Sequence, residues 1–113
     1  MTGRFLGQVA LVTGASSGIG RATALALARE GVRVALIARR EELLRAVAAE
    51  VEALGGETLV LPADVTRQEE VEHAVAQTLA RWGQVDILVA AAGAYIRAPV
   101  LQMTAADVER SMA

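Results

Sequence analysis

Four short apolar runs recur along the chain, and each is rich in β-branched or aliphatic residues. They occupy residues 9–13, 32–38, 58–61 and 85–90. Because the side chains in each run are apolar at successive positions, we predict strands that are buried on both faces. Such strands are typical of a parallel sheet that helices cover on both sides.

Between these runs, apolar residues recur at helical spacing. The three sets are Ile19, Ala22 and Ala26; Leu44, Val47, Val51 and Leu54; and Val71, Val75, Leu79 and Trp82. At this spacing the members of a set share one face of a helix. The pattern therefore predicts the order β-α-β-α-β-α-β.

Glycines and capping residues mark the ends of the predicted helices. A left-handed cap favours glycine after a helix, and the three helical segments are followed by Gly31, Gly55 and Gly83. Thr66 and Glu69 have the spacing of a capping box before the third helix. After a loop that contains Pro99, the pair Thr104 and Asp107 predicts the start of a fourth helix.

Composition narrows the class of protein. The chain has 113 residues, of which 54% are hydrophobic and 21% charged, so residues 1–113 should form one domain with a packed core. The net charge is −2 and the cations are scattered, which argues against a nucleic-acid partner. No apolar run approaches the length of a membrane span, and there is no cysteine, so a cytoplasmic protein is the default expectation. His73 lies among glutamates of a predicted helix, where we expect a solvated side chain and no metal site.

The segment TGASSGIG lies between the first predicted strand and the first predicted helix. A loop in that position points backbone amides at a ligand above the helix N-terminus, where an anion is favoured. Gly14 permits the turn, Gly18 allows a diphosphate to approach, and Gly20 lets the helix lie close to the strand. Ser16 and Ser17 add hydroxyl donors. The alternative is a tight turn that holds no ligand.

The spacing G-x-x-x-G-x-G resembles the glycine motif of the short-chain dehydrogenase/reductase family. Three further segments fall where that family ends its second, third and fourth strands: ALIARREELL, ADVT and VDILVAAAG. The resemblance implies a Rossmann-type, doubly wound parallel sheet of four strands in the order 3-2-1-4, with flanking helices and the chain stopping before strand 5. It also implies that the loop, including Ile19, binds a nicotinamide dinucleotide.

The choice of dinucleotide depends on the residues that follow the second strand. An acidic residue that binds the ribose hydroxyls is expected about 20 positions after the loop. Ala38 stands there instead, and Arg39 and Arg40 come next. A guanidinium pairs with a 2′-phosphate, so we predict NADP rather than NAD, although Ser17 stands where NADP-using relatives often have a basic residue. The alternative is two solvated cations that pair with the glutamates after them.

Two more strand ends resemble the family's cofactor contacts. Asp64 would face the adenine amino group with the Val65 backbone beside it, although a turn-forming aspartate explains the same residue without a ligand. The family's NNAG is AAAG here, so the segment with Ala91 and Gly93 has lost both amides. Gly93 can still allow close approach to the cofactor.

The catalytic groups that the resemblance implies are a tyrosine, a lysine four residues later, a serine and an asparagine. This sequence has neither lysine nor asparagine, Tyr95 is followed four positions later by Pro99, and Ser111 precedes any fifth strand. We therefore assign no catalytic residue. Tyr95 is expected on a loop, either packed or lining the cleft.

The chain resembles the N-terminal half of a family member. Its fourth strand would then be an exposed edge, which favours homo-oligomers. We predict the cofactor-binding half of an NADP-dependent oxidoreductase that moves hydride to or from a small carbonyl or alcohol substrate. The alternatives are a non-catalytic dinucleotide-binding module or degenerate fragment, and an oligomerising scaffold.

Overall fold

A computed structural model describes residues 6–16 and 18–90 and the backbone of residues 95–97. Its strands are β1 (Val9–Thr13), β2 (Arg33–Ala38), β3 (Thr58–Pro62), β4 (Ile87–Val89) and β5 (Tyr95–Arg97). Its helices are α1 (Gly18–Arg29), α2 (Glu41–Ala53) and α3 (Gln68–Trp82). In the described part of the chain, no helix is long and apolar enough to cross a membrane. The fourth helix predicted from Thr104 lies outside the described residues.

The strands form one sheet in the order β3-β2-β1-β4-β5. Strands β3, β2, β1 and β4 are parallel to one another. Leu11 of β1 pairs with Ala35 of β2 on one side and with Leu88 of β4 on the other. This confirms the predicted 3-2-1-4 Rossmann sheet. Parallel pairing places the carboxyl ends of all four strands at the same edge of the sheet.

Strand β5 corrects the prediction that β4 is an exposed edge. It runs antiparallel to β4, with Leu88 opposite Ile96, so the outer backbone groups of β4 are paired. An antiparallel strand needs only a short connection, and five residues separate β4 from β5. Tyr95 therefore begins a strand rather than lying on a loop, and a free β4 edge no longer supports the prediction of a homo-oligomer.

Helices cover the sheet on both faces and divide the core in two. Ala10 and Val12 of β1 pack with α1 and α2, whereas Leu11 points to the opposite face, where α3 lies. In α2 the predicted face is correct for Leu44, Val47 and Val51, which are buried. Successive apolar side chains of β1 thus pack into the core on opposite faces of the sheet, as expected for a strand that helices cover on both sides.

The predicted buried face of α1 is wrong. Ile19, Ala22 and Ala26 are exposed, and the buried positions are Gly20, Ala24, Leu27 and Ala28. Alanine and leucine occur on every side of this helix, so apolar spacing does not select one face. The side of α1 that packs on the sheet is instead the one with Gly20 and Ala24 near the start of the helix. These small residues let the helix approach the sheet closely.

The glycines predicted to end the helices adopt the left-handed conformation. Gly31, Gly55 and Gly83 have φ of 84°, 84° and 76°. Gly83 is the clearest case, because its amide donates to the Leu79 carbonyl at 2.7 Å and closes α3. The prediction of these three helix ends is confirmed.

The capping box predicted from Thr66 and Glu69 is wrong. Helix α3 begins after Arg67, which makes no side-chain capping bond. Thr66 instead donates to Asp64 Oδ1, from its amide at 3.0 Å and from its hydroxyl at 2.6 Å. Because aspartate bonds its own backbone two residues on, this local turn replaces the box. These two bonds, the hydroxyl first, lower the pKa of Asp64, and Arg39 and Arg67 nearby lower it further.

A single contact fixes the start of α1. A Cβ at Gly20 would lie 2.0 Å from the Gly14 carbonyl oxygen, far inside contact distance. The atom that the methyl would meet belongs to the backbone and not to a flexible side chain, so it cannot move aside cheaply. Gly20 is therefore required for α1 to begin directly over the turn after β1.

We predict that Gly20→Ala lowers the free energy of unfolding by about 1–3 kcal/mol, because the added methyl overpacks this contact. Helix propensity alone would give the opposite sign, a gain of about 1 kcal/mol. Urea unfolding measures the change. The control is Ala26→Gly on the exposed side of α1, which should cost about 1 kcal/mol through propensity alone. A Gly20→Ala chain as stable as the parent would contradict the contact.

Replacing Thr66 with valine should raise the pKa of Asp64 toward its ordinary value of 3.8, because the hydroxyl donor is lost. A lowered carboxyl pKa stabilises the fold above that ordinary value, and the contribution disappears as pH falls through the folded-state pKa. Carbon-detected NMR of the Asp64 carboxyl measures the shift. Thr58→Val is the matched control, since the Thr58 hydroxyl has no partner in the described structure. An unchanged Asp64 titration in the Thr66 variant would refute the assignment.

Candidate functional site

The carboxyl ends of three strands are tied together by backbone hydrogen bonds. Ala15, just after β1, donates its amide to the Ile37 carbonyl of β2 at 3.2 Å. Ala63, just after β3, donates to the Ala38 carbonyl at 2.8 Å. The loops that leave the three strands are therefore held side by side. In open parallel sheets, ligands bind at this edge.

A cleft of about 700 Å³ opens where these loops meet. Its walls come from the turn after β1, the start of α2 and the turn after β3. The lining residues are Thr13, Gly14, Ser16, Ala38, Arg39, Arg40, Ala63, Asp64, Val65 and Thr66. The structure thus brings together most of the strand-end residues that the sequence had singled out separately.

The glycine segment forms the first wall. Gly14 and Gly18 have φ of 62° and 59°, a conformation that residues with a Cβ rarely adopt. Gly18 is exposed, and apart from its chain neighbours and the backbone of α1, no described atom lies within 4 Å of the point that its Cβ would occupy. It is also the first residue of α1, so free amides and the positive end of the helix dipole face open space there. That arrangement suits an anion.

Of the other described residues of this segment that the sequence predicted as cofactor contacts, one lines the cleft and three do not. Ser16 lines it, but Gly18, Ile19 and Gly20 do not. Ile19 is 61% exposed at the start of α1, and Gly20 is buried against Gly14. Ser17 lies outside the described residues. Gly20 thus acts on the site through packing.

The two arginines of the second wall differ in their contacts. Arg40 donates from Nε to Glu42 at 3.0 Å, so the ion pair foreseen as an alternative does form for this residue. Arg39 is exposed and makes no hydrogen bond or ion pair with residues 6–16 or 18–90. Its guanidinium acts on Asp64 only through charge. Arg39 is therefore the cation of this wall that a ligand can engage without breaking a contact.

The turn after β3 forms the third wall. Asp64 carries a lowered pKa, because Thr66 donates to its carboxylate and two arginines lie nearby, so it is ionised at neutral pH. Its own amide donates to Glu70 Oε1 at 2.7 Å. Val65 is 36% exposed beside it. The turn-forming role of Asp64 is therefore present in the structure, and its carboxylate keeps acceptor capacity toward the cleft.

Strand β4 contributes little polarity to the described part of the site. Ala90, at its carboxyl end, is 4% exposed and offers only a methyl group. Ala91 and Gly93, predicted as cofactor contacts, lie outside the described residues. Thr13 was not singled out from the sequence, yet it lines the cleft and its hydroxyl donates to the Val89 carbonyl at 3.3 Å. A lone hydroxyl at the end of an apolar run is the signal that would have found it.

A second cavity of about 450 Å³ lies between the end of β3 and α3. Among its lining residues are Glu69, Glu70, His73 and Gln77. His73 Nε2 lies 2.7 Å from the Gln77 side-chain nitrogen. Within residues 6–16 and 18–90, no three histidine, cysteine or acidic side chains form a group that could hold a metal ion.

Comparison with known proteins gives a consistent family. The family model described as short chain dehydrogenase matches residues 8–113. Sorbitol dehydrogenase of Cereibacter sphaeroides is 42% identical over 110 residues, which are 97% of this chain and 42% of that protein. The chain thus spans less than half the length of this relative.

Solved structures agree in fold and differ in cofactor. A metagenomic short-chain oxidoreductase in complex with NADP has 45% identity and a TM-score of 0.72, over 75% of this chain and 37% of that one. An NAD⁺-bound xylitol dehydrogenase has 41% identity and a TM-score of 0.74, over 76% of this chain and 33% of that one. With the fold, the glycine turn and the family match in agreement, this chain belongs to the short-chain dehydrogenase family.

Proposed function

We propose that this chain is the NADP-binding part of an oxidoreductase that transfers hydride to or from a carbonyl or alcohol carbon. The observation that carries the proposal is the pairing of two cationic features across one cleft. Gly14 and Ser16, in the turn that leads into the positive end of α1, line one side, and the Arg39 guanidinium, which has no partner among the described residues, lines the other. A dinucleotide with a diphosphate and a third phosphate complements both.

The diphosphate belongs at the glycine turn. Gly14 lines the cleft, and Gly18 leaves open space at the start of α1, so phosphate oxygens can reach backbone amides without meeting a side chain. Ser16 adds a hydroxyl donor on the same wall. We assign Ser17, Ile19 and Gly20 supporting roles in the same loop, with Gly20 acting through the packing of α1.

The third phosphate is what separates NADP from NAD. The family includes structures with either cofactor, so the preference has to come from this chain's own residues. The cleft presents no carboxylate at Ala38, where one would repel a 2′-phosphate, and it presents Arg39 directly afterwards. Arg40 is auxiliary, because engaging a ligand costs it the pair with Glu42.

The adenosine end then lies against the third wall. Asp64 is ionised and half-buried, and it can accept from an amino group, while Val65 presents an exposed apolar side chain for contact with a base. Ala91 and Gly93 are proposed to approach the cofactor from the end of β4.

Hydride transfer itself needs groups that this chain does not supply. The sequence has no lysine, so a Ser-Tyr-Lys set of the kind that the family resemblance implies is incomplete within residues 1–113. We propose that the catalytic groups correspond to the part of the longer relatives that the chain does not match. The small carbonyl or alcohol substrate would bind there as well.

A second function, dinucleotide binding without catalysis, is favoured by one observation. Ala90 is buried at the end of β4 and has no side-chain amide, whereas the family resemblance implies asparagine at this position. A module of this kind would bind NADPH and reduce no carbonyl compound even when joined to the segments that complete its relatives. Assay of such a completed protein over a panel of ketones and aldehydes separates the two functions.

NADPH should raise the thermal midpoint of the chain, because a ligand that prefers the folded state stabilises it by mass action. At 100 times Kd the gain is about 2.7 kcal/mol. Differential scanning fluorimetry with increasing NADPH measures it. Equal midpoints at zero and saturating NADPH would contradict dinucleotide binding and favour a scaffold.

Arg39→Ala should weaken NADPH binding roughly 10- to 100-fold, since one charge-assisted bond is worth about 1.5–3 kcal/mol. NADH binding should change little, because NADH lacks the 2′-phosphate. Calorimetric titration with each cofactor gives both Kd values. Arg45→Ala is the matched control, as Arg45 pairs with Glu41 within α2 and does not line the cleft. Equal losses for the two cofactors in the Arg39 variant would overturn the phosphate assignment.

A further inference from the structure

We propose that Glu70 is a positioning residue of the dinucleotide site. Its carboxylate holds the turn at residues 63–67 in the shape that presents Asp64 and Val65 to the adenosine end of the cofactor. Glu70 does not line the cleft, and neither composition nor motif spacing marks it as functional. The inference rests on the proposed function and adds a residue to it.

The contact that supports this role joins the turn to α3. Glu70 Oε1 accepts the Asp64 amide at 2.7 Å, reaching back six residues from the first turn of the helix. A carboxylate that accepts from a backbone amide makes a charge-assisted bond, which is stronger than a neutral one. The Glu70 side chain is 38% exposed, so water screens the bond only in part.

Backbone bonds anchor the two ends of the turn: Ala63 donates to β2, and the Arg67 carbonyl accepts from the amides of residues 70 and 71 in α3, both at 3.1 Å. The bonds from Thr66 to Asp64 and from the Arg67 amide to the Asp64 carbonyl are internal to the turn. They shape it without fixing it relative to the rest of the molecule. Ala63 ties its first residue to β2, and Glu70 ties its middle to α3.

Helix α3 is a firm support for this bond. Val71 and Ala74, which follow Glu70 within one turn of the helix, are buried in the core layer on the α3 face of the sheet. The carboxylate is therefore presented from an element that packing holds in place. A group fixed in this way can hold the Asp64 amide, and with it the Asp64 carboxylate, at one position relative to Arg39.

The neighbouring Glu69 shows what the bond adds. Both glutamates pair with Arg67, Glu69 at 3.2 Å and Glu70 at 3.4 Å, and exposed pairs of this kind contribute about 0–1 kcal/mol. Both also lie in the first turn of α3, where the helix dipole favours acidic residues. Only Glu70 also accepts the Asp64 amide in the middle of the turn. The two residues are therefore a matched pair that differ in the proposed role.

Loss of the Glu70–Asp64 bond should weaken binding by lowering the fraction of molecules in which the turn has the conformation that binds the cofactor. A ligand that needs one conformation binds with an apparent Kd divided by the fraction of molecules in that conformation. Freeing the Asp64 amide lowers this fraction, so the Kd rises although no cofactor contact has been removed.

The experiment titrates the chain and four variants with NADPH and with 2′,5′-ADP, which carries the adenosine and the 2′-phosphate without nicotinamide. The variants are Glu70→Ala, Glu70→Gln, Glu70→Asp and Glu69→Ala, and a thermal midpoint without ligand is recorded for each. Glu70→Ala should weaken both ligands about tenfold, the effect of one lost charge-assisted bond. Glu69→Ala should bind both as the parent does.

The two conservative variants separate geometry from charge. Glutamine keeps an oxygen at the same reach and should restore binding to within about twofold, because a neutral acceptor retains most of one hydrogen bond. Aspartate keeps the charge but is one methylene too short, so it should weaken both ligands as alanine does. A charge effect of Glu70 would give the reverse order and would overturn the positioning role.

The outcomes also separate this role from the proposed function. If the parent chain binds NADPH and the Glu69 and Glu70 variants have equal Kd values, the positioning role is wrong while the proposed function stands. If the parent chain binds neither ligand, the proposed function fails and the role fails with it. Midpoints that fall in parallel with affinity across all four variants would indicate general destabilisation and would also refute the role.

Discussion

The site depends on one close approach, in which the first turn of α1 lies against the peptide that follows β1. Gly20 leaves room for the Gly14 carbonyl, with 2.0 Å between that oxygen and the place of a Cβ. This contact sets both the position and the direction of the helix. If α1 were displaced outward by the width of a methyl group, its N-terminal amides would lie farther from Gly14 and Ser16, which line the cleft. The ligand chemistry of the loop is thus a consequence of packing behind it.

The electrostatics of the cleft follow from which charges are already paired. Arg40 and Arg67 have carboxylate partners, and Asp64 has two donors from Thr66. Arg39 is the charged residue of the cleft that has no such partner within residues 6–16 and 18–90. An unpaired exposed cation costs little in the free chain, since water solvates it, and it keeps its whole pairing capacity for a ligand. The same cation favours an ionised Asp64, so the second and third walls carry opposite charges a short distance apart.

The sequence alone was enough for the sheet and for most of the cleft, and the reasons are physical. Strands that are apolar on both faces have few alternatives to a covered parallel sheet, and the glycines at 14, 31, 55 and 83 occupy positions where φ is positive. The exposed face of α1 could not be predicted from the sequence. Alanine and leucine occur on all sides of this helix, so the spacing of apolar residues does not show which side packs on the sheet. Thr66 and Glu69 have the spacing of a capping box, and for that reason the prediction at this turn is wrong. The bonds that form, from Thr66 to Asp64, depend on where β3 ends, which the spacing does not show. Strand β5 was missed because three residues give no measurable period.

The sheet does not need an asparagine at the end of β4. By resemblance, asparagine there both contacts the cofactor and links neighbouring strands. In this chain the Thr13 hydroxyl donates to the Val89 carbonyl, so β1 and β4 are linked by a side chain at that level without an amide. Strand β4 is also paired on its outer side by β5. Strand β4 is therefore paired on both sides, and the methyl of Ala90 does not weaken the sheet. Under the proposed function, the binding energy would then come mainly from the glycine turn and from Arg39.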